Sequence, residues 1–212
     1  FPIQMRDDGV YVGLESQVPH ETTVTDVMAQ TLTNWGVTSV FGMVGHSNLG
    51  LADALRLQEQ QGRLTYFGVR HEGAAAFACS GYAKLTGRPA ACLTIAGPGA
   101  TNLVTPAAYA QLGGMPMLII TGQKPIKESK QALFQIVDVV NMMRPITKFT
   151  KQVVHGSTIA ATVREAFRIA VEERPGAVHI ELPEDIAAEE AHQRIYTVET
   201  IRRPDADNRT IQ

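Results

Sequence analysis

Gly68-Val69-Arg70-His71-Glu72-Gly73-Ala74-Ala75-Ala76-Phe77 is the stretch on which the fold turns. A β-rich run, Leu64-Thr65-Tyr66-Phe67-Gly68-Val69, leads into it, and an alanine-rich run from Ala74 to Leu85 leads out. Glu72 therefore falls where a strand ends and a helix begins. The first turn of a helix has unpaired N–H groups and a partial positive charge, so a carboxylate is favoured there. In an open α/β sheet, ligands bind outside the carboxyl ends of the strands. An acid at that edge is either a helix cap or a piece of chemistry, and position alone leaves both open.

The same strand-to-helix beat repeats on both sides. Thr23-Val24-Thr25-Asp26 reads as a capping box with Asp in the third position, opening a helix that Gly36 ends. Residues 37–43 read as a first strand, and Ser47 is expected to cap a second helix that runs to Gly62. Strand 64–69 and helix 73–85 follow, then strand 90–95 and a helix from Gly97-Pro98-Gly99 to about Leu112. Residues 117–121, 149–154 and 176–182 read as three more strands, with a short helix at 138–143 and an amphipathic one at 158–173. Short apolar strands alternating with helices imply parallel pairing with right-handed crossovers. The expected architecture is a three-layer α/β/α sandwich around a six-stranded, mainly parallel sheet.

Composition narrows the function classes. Of 212 residues, 44% are hydrophobic and 19% charged, which is enough apolar material for a real core. A net charge of −2 gives no drive toward nucleic acid. The densest basic groups, Lys124/Lys127/Lys130 and Arg202-Arg203, read as solvated faces. Cys79 and Cys92 lie in apolar runs without a CxxC pattern, which suits buried thiols and a reducing, cytoplasmic setting. The lack of paired Cys or His spacing argues against a metal site within the chain. No apolar run is long enough to span a membrane. Residues 1–22 are expected to be a tail, 23–188 the folded domain, and 189–212 a polar linker toward a further domain.

Four loops at strand ends carry candidate chemistry. Gly42-Met43-Val44-Gly45-His46-Ser47-Asn48 has two glycines that permit a sharp turn and close approach to a ligand, and His46 is a candidate for chemistry in that turn. The second is the Arg70-His71-Glu72 edge. The third, Gly97-Pro98-Gly99-Ala100-Thr101-Asn102, places glycines before a helix N-terminus, a common phosphate cradle. It departs from a dinucleotide fingerprint, because Asn102 replaces the third glycine and no acid occurs between Gly73 and Pro125. The fourth is Thr121-Gly122-Gln123-Lys124-Pro125, followed by Phe134-Gln135 on a long connection.

Taken together, Arg70-His71-Glu72, the run Ser80 to Pro89, the run Gly97 to Thr105 and the run Pro116 to Gln123 resemble the N-terminal pyrimidine-binding domain of thiamine-diphosphate enzymes, in the acetolactate synthase and pyruvate oxidase group. The likeness covers residues 24–188 and implies the thiamine-diphosphate-binding fold. It implies that Glu72 hydrogen-bonds a ring nitrogen of the cofactor's aminopyrimidine and thereby promotes loss of the thiazolium proton. It implies that Gly45, Pro98 and Asn102 line the pyrimidine pocket and that Gln135 points toward the reacting carbon, with His46 and Phe134 near the substrate.

The resemblance further implies decarboxylation and carboligation of pyruvate or another 2-oxo acid, with thiamine diphosphate as cofactor. Mg2+ would be held by a separate diphosphate-binding domain, and FAD is a further candidate cofactor. No Gly-Asp-Gly diphosphate motif occurs in the chain, so the implied site is half of one shared between subunits of a homo-oligomer. Several positions depart from the family pattern: His46 stands for a smaller residue, Gly73 for glutamine, Ala96 for serine or threonine, and Ile136 for glutamate. The alternatives at this stage are pyruvate oxidase, a 2-oxo acid decarboxylase, and a non-catalytic binding or regulatory module.

Overall fold

A computed structural model describes residues 22–127, 134–192 and 195, together with the backbone of two short strands, β1 (Ile3–Arg6) and β2 (Gly9–Val12). These two strands pair antiparallel within the expected tail. The rest of that tail, Lys130, Arg202-Arg203 and nearly all of the expected linker beyond His192 lie outside the described residues.

Six further strands form one sheet: β3 (Ser39–Gly42), β4 (Thr65–Gly68), β5 (Ala90–Thr94), β6 (Met117–Gln123), β7 (Phe149–Gln152) and β8 (Ala177–Pro183). Their order is β4-β3-β5-β6-β8-β7, and every neighbouring pair is parallel. Among the described residues eight α-helices accompany them: α1 (Val24–Asn34), α2 (Leu49–Gln60), α3 (Glu72–Thr86), α4 (Pro98–Thr101), α5 (Val104–Gly113), α6 (Val139–Met143), α7 (Ile159–Val171) and α8 (Glu184–Ala187).

Side chains alternate across a strand, so one run of apolar residues feeds two layers. Ala91, Leu93, Leu118, Ile120, Val178 and Ile180 pack with residues of α1, α2 and α7. Ala90, Cys92, Met117, Ile119 and Ala177 pack with residues of α3 and α5. The inner strands β5, β6 and β8 are buried at every position, whereas edge strand β4 is largely exposed. A strand covered on both faces has no polar side to show, which is why these runs read as continuously apolar.

Helix ends follow local chemistry. Asp26 Oδ2 accepts from the Thr23 backbone N–H at 2.8 Å and from its hydroxyl at 2.7 Å, securing the first turn of α1. Gly87 closes α3 in the left-handed conformation with φ at 68°, which costs glycine little. At the other boundary, Thr23 bridges Glu190, and Ala191 N–H donates to Thr22 C=O. Residues first read as the start of a linker are thus tied to the entry of α1.

Two expectations are corrected. Ser47 does not cap α2; Asn48 takes that place after a short 3-10 turn, His46–Asn48. The Ser47 hydroxyl instead accepts from Ala96 N–H at 2.9 Å, joining the loops after β3 and β5. The helix read from Gly97 to Leu112 is two helices, broken at Asn102 and Leu103. At the break Leu103 N–H bonds back to Ala100 C=O at 3.1 Å, a tighter turn than the α-helical one.

Candidate active site

The sheet order creates a switch point between β3 and β5. The chain leaves β3 toward β4 on one side and leaves β5 toward β6 on the other. A crevice opens outside the carboxyl ends of strands at such a point. The loop carrying Gly45 follows β3, Gly97 and the start of α4 with Gly99 follow β5, and the entry to α3 follows the adjacent β4.

Glu72 is only 5% exposed. The capping role at α3 belongs to its neighbour: His71 is the N-cap, and its Nδ1 accepts from Gly73 N–H at 3.1 Å. Glu72 is therefore released from capping, and its Oε2 accepts from Asn102 Nδ2 at 2.9 Å. The break between α4 and α5 sets Asn102 at the end of α4, where its side chain makes this bond.

Backbone approaches this carboxylate closely. A Cβ on Gly99 would stand 2.5 Å from Ile95 Cγ1, 2.8 Å from Thr94 Oγ1 and 3.1 Å from Glu72 Oε1. A Cβ on Gly45 would stand 2.5 Å from Ile95 Cγ2. Both positions admit only glycine without a shift, and Ile95 is wedged between the two loops. The Thr94 hydroxyl is buried beside them with no hydrogen-bond partner in the structure. Sequence reading missed Thr94; the only signal was a hydroxyl at the end of an apolar strand.

Of the other candidates, Gln135 joins this loop cluster through its backbone. A Cβ on Gly97 would lie 2.6 Å from Gln135 O, so the two chains touch. Pro98 is the exposed first residue of α4. Phe134 is 72% exposed. His46 is engaged elsewhere: its Nδ1 lies 3.3 Å from Glu184 Oε1, and Lys124 Nζ lies 3.6 Å from the same oxygen. His46 also lines a cavity of about 300 Å³ with Thr23, Asp26, Asn48 and Gly122, a space that Glu72 does not border.

A second polar group lies deeper, on β6, β7 and β8. His179 is fully buried, with Nε2 2.9 Å from Thr121 Oγ1 and Nδ1 2.7 Å from Thr150 Oγ1. Burial drives its pKa down to about 3. Glu181 accepts from Gln123 Nε2 and Gln152 Nε2. Burial pushes its carboxyl above the ordinary value, against the opposite pull of those two amide donors. The strand 176–182 read as apolar therefore carries two buried titratable groups.

Fold and site together define a doubly wound α/β domain with a glycine-lined, carboxylate-bearing crevice at its switch point. The family model described as "Thiamine pyrophosphate enzyme, N-terminal TPP binding domain" matches residues 22–142, and the chain belongs to that family. It is 40% identical to the acetolactate synthase of Arthrospira platensis over 172 residues, which cover 81% of this chain and 30% of that protein. It is 38% identical to acetolactate synthase isozyme 1 large subunit of Escherichia coli over 164 residues, 77% of this chain and 29% of that protein. A probable acetolactate synthase large subunit of Methanocaldococcus jannaschii is 41% identical over 151 residues, 71% of this chain and 25% of that protein. The chain thus spans less than a third of the length of these curated relatives.

Proposed function

We propose that the chain is the pyrimidine-binding part of an acetolactate synthase-like enzyme, which decarboxylates pyruvate or another 2-oxo acid and joins the remaining fragment to a second one. The observation that carries this reading is the Glu72 carboxylate, buried, relieved of capping by His71 and oriented by Asn102. The residues present suit an aminopyrimidine. They combine a buried acceptor on Glu72, an unpaired buried hydroxyl on Thr94, and two glycines, Gly45 and Gly99, packed against Ile95.

In this reading Glu72 would hold a proton at a ring nitrogen of the pyrimidine. Asn102 keeps the carboxylate in one orientation through Oε2. Gly45, Pro98 and Asn102 line the ring. Gln135 would offer an amide donor and acceptor toward the substrate end, with Phe134 its neighbour in the chain. Thiamine diphosphate, when bound, would supply a carbon nucleophile and an electron sink for the 2-oxo acid.

The diphosphate, its Mg2+ and any FAD are assigned to parts of the enzyme beyond this chain. The site is completed by a second subunit of a homo-oligomer. Support for such packing comes from the exposed apolar side chains of α3 and α5, Phe77, Leu85, Tyr109 and Leu112, on the helix that begins with Glu72 and its neighbour. Among the described residues no helix is long and apolar enough to cross a membrane. A cytoplasmic location fits the two free, buried cysteines.

Product analysis tests the reading. The full-length enzyme with pyruvate, thiamine diphosphate and Mg2+ is expected to form acetolactate. Acetaldehyde or acetyl phosphate as the main product would move the assignment to a decarboxylase or an oxidase. No thiamine-dependent consumption of any 2-oxo acid would refute it.

A further inference from the structure

Gln135 is the one non-glycine residue with positive φ among the described residues, at 62°. A left-handed conformation strains a side-chain-bearing residue, and it persists only where the surroundings hold it. Two clamps hold this one. On one side the Gln135 backbone lies against Gly97, where a Cβ would come within 2.6 Å of its carbonyl oxygen and 2.9 Å of its Cα. On the other side, two residues on, the Val137 carbonyl accepts from Gln123 Nε2 at 3.1 Å.

Gln123 is itself held from three directions. Its Nε2 also donates to Glu181 Oε1 at 3.0 Å, and its Oε1 accepts from Lys124 N–H at 2.9 Å. The other Glu181 oxygen accepts from Gln152 Nε2. Gln123 is 6% exposed and Glu181 2%. Each of the adjacent strands β6, β8 and β7 contributes one member of this row, and Gln152 is directly opposite Glu181 in the register. An amide can face either way, but a carboxylate only accepts. Glu181 therefore decides that the NH2 end of Gln123 faces it, and the same NH2 is what reaches the Val137 carbonyl.

We propose that Gln123 and Glu181 are positioning residues for Gln135: acting through the Val137 carbonyl, they hold the turn that presents Gln135 at the site. The proposal rests on the reading of Gln135 as a residue near the reacting carbon. Neither Gln123 nor Glu181 need touch substrate for the reaction to depend on them. Misplacement of a contributing group by about 1 Å can cost roughly a hundredfold in rate.

The test is a double-mutant cycle in the full-length enzyme, with pyruvate as substrate. Gln135→Ala and Gln123→Leu are each expected to lower kcat by about tenfold to a hundredfold, with smaller changes in KM and unchanged affinity for thiamine diphosphate. The double variant is expected to be no worse than Gln135→Ala, because removing the strut changes nothing once its target is gone. Glu181→Gln keeps the volume and turns one acceptor into a donor. It should give a smaller loss of kcat with the same non-additivity, and it carries the test if Gln123→Leu does not fold. Unchanged kcat in Gln123→Leu and Glu181→Gln, or losses that multiply with that of Gln135→Ala, would overturn the proposal. Unchanged kcat in Gln135→Ala alone would instead overturn the reading of Gln135, and the positioning role with it.

Discussion

At the scale of single residues, Glu72 shows how a role is decided by neighbours. Its place at the start of a helix suits a cap equally well, and the sequence around it contains both answers. His71 takes the cap, so the Glu72 carboxylate is left to Asn102 and the crevice. Thr94 was not legible in the same way. A threonine at the end of an apolar run fits a strand, and nothing local says that its hydroxyl ends up unpaired beside Gly99. An unpaired buried hydroxyl costs about 1–3 kcal/mol, and an isosteric apolar group removes that cost. Thr94→Val is therefore expected to raise the stability of the 212-residue chain in urea denaturation by about 1 kcal/mol, while the full-length enzyme binds thiamine diphosphate more weakly. A loss of stability of that size would mean that the hydroxyl serves the fold instead of the ligand.

At the scale of elements, the six strands and most helices could be read because buried parallel strands are apolar runs and helix ends carry their own signals. Strand order could not. Nothing in a local pattern says that β8 inserts between β6 and β7, yet that insertion sets Thr121 and Thr150 on the two sides of His179. The consequence is a pH dependence. His179 has a folded pKa of about 3, below its ordinary 6.5, so the neutral form is favoured by folding. Its stabilising contribution is fully present above 6.5 and is lost as pH falls toward 3, at up to about 1.4 kcal/mol per pH unit. Glu181 acts with the opposite sign: its raised pKa contributes stability below its ordinary 4.5 that is lost as pH rises through the folded value. His179→Asn should be less stable than the parent at neutral pH but should show a shallower fall between 6.5 and 4.5, with Glu181 present in both. Parallel stability–pH curves for the two proteins would show that His179 titrates alike in the folded and unfolded chains.

At the scale of the molecule, the switch point gathers loops from three strands into one crevice, and the account assigns that crevice half of a reaction site. The chain spans 30% of the Arthrospira platensis relative. Exposed apolar side chains occur on α3, the helix that Glu72 begins, and on the adjacent α5, in keeping with a site completed from outside. If the site is shared as proposed, the decisive test belongs to the assembled enzyme and to the group this chain contributes. That measurement is the turnover of pyruvate by full-length Glu72→Gln, at saturating thiamine diphosphate and Mg2+, beside the parent. The substitution keeps the shape and the possible bond to Asn102 but removes the charge that holds the pyrimidine proton. The account predicts a loss of about a hundredfold or more, the scale of positioned acid–base catalysis. Turnover at the parent rate would contradict it.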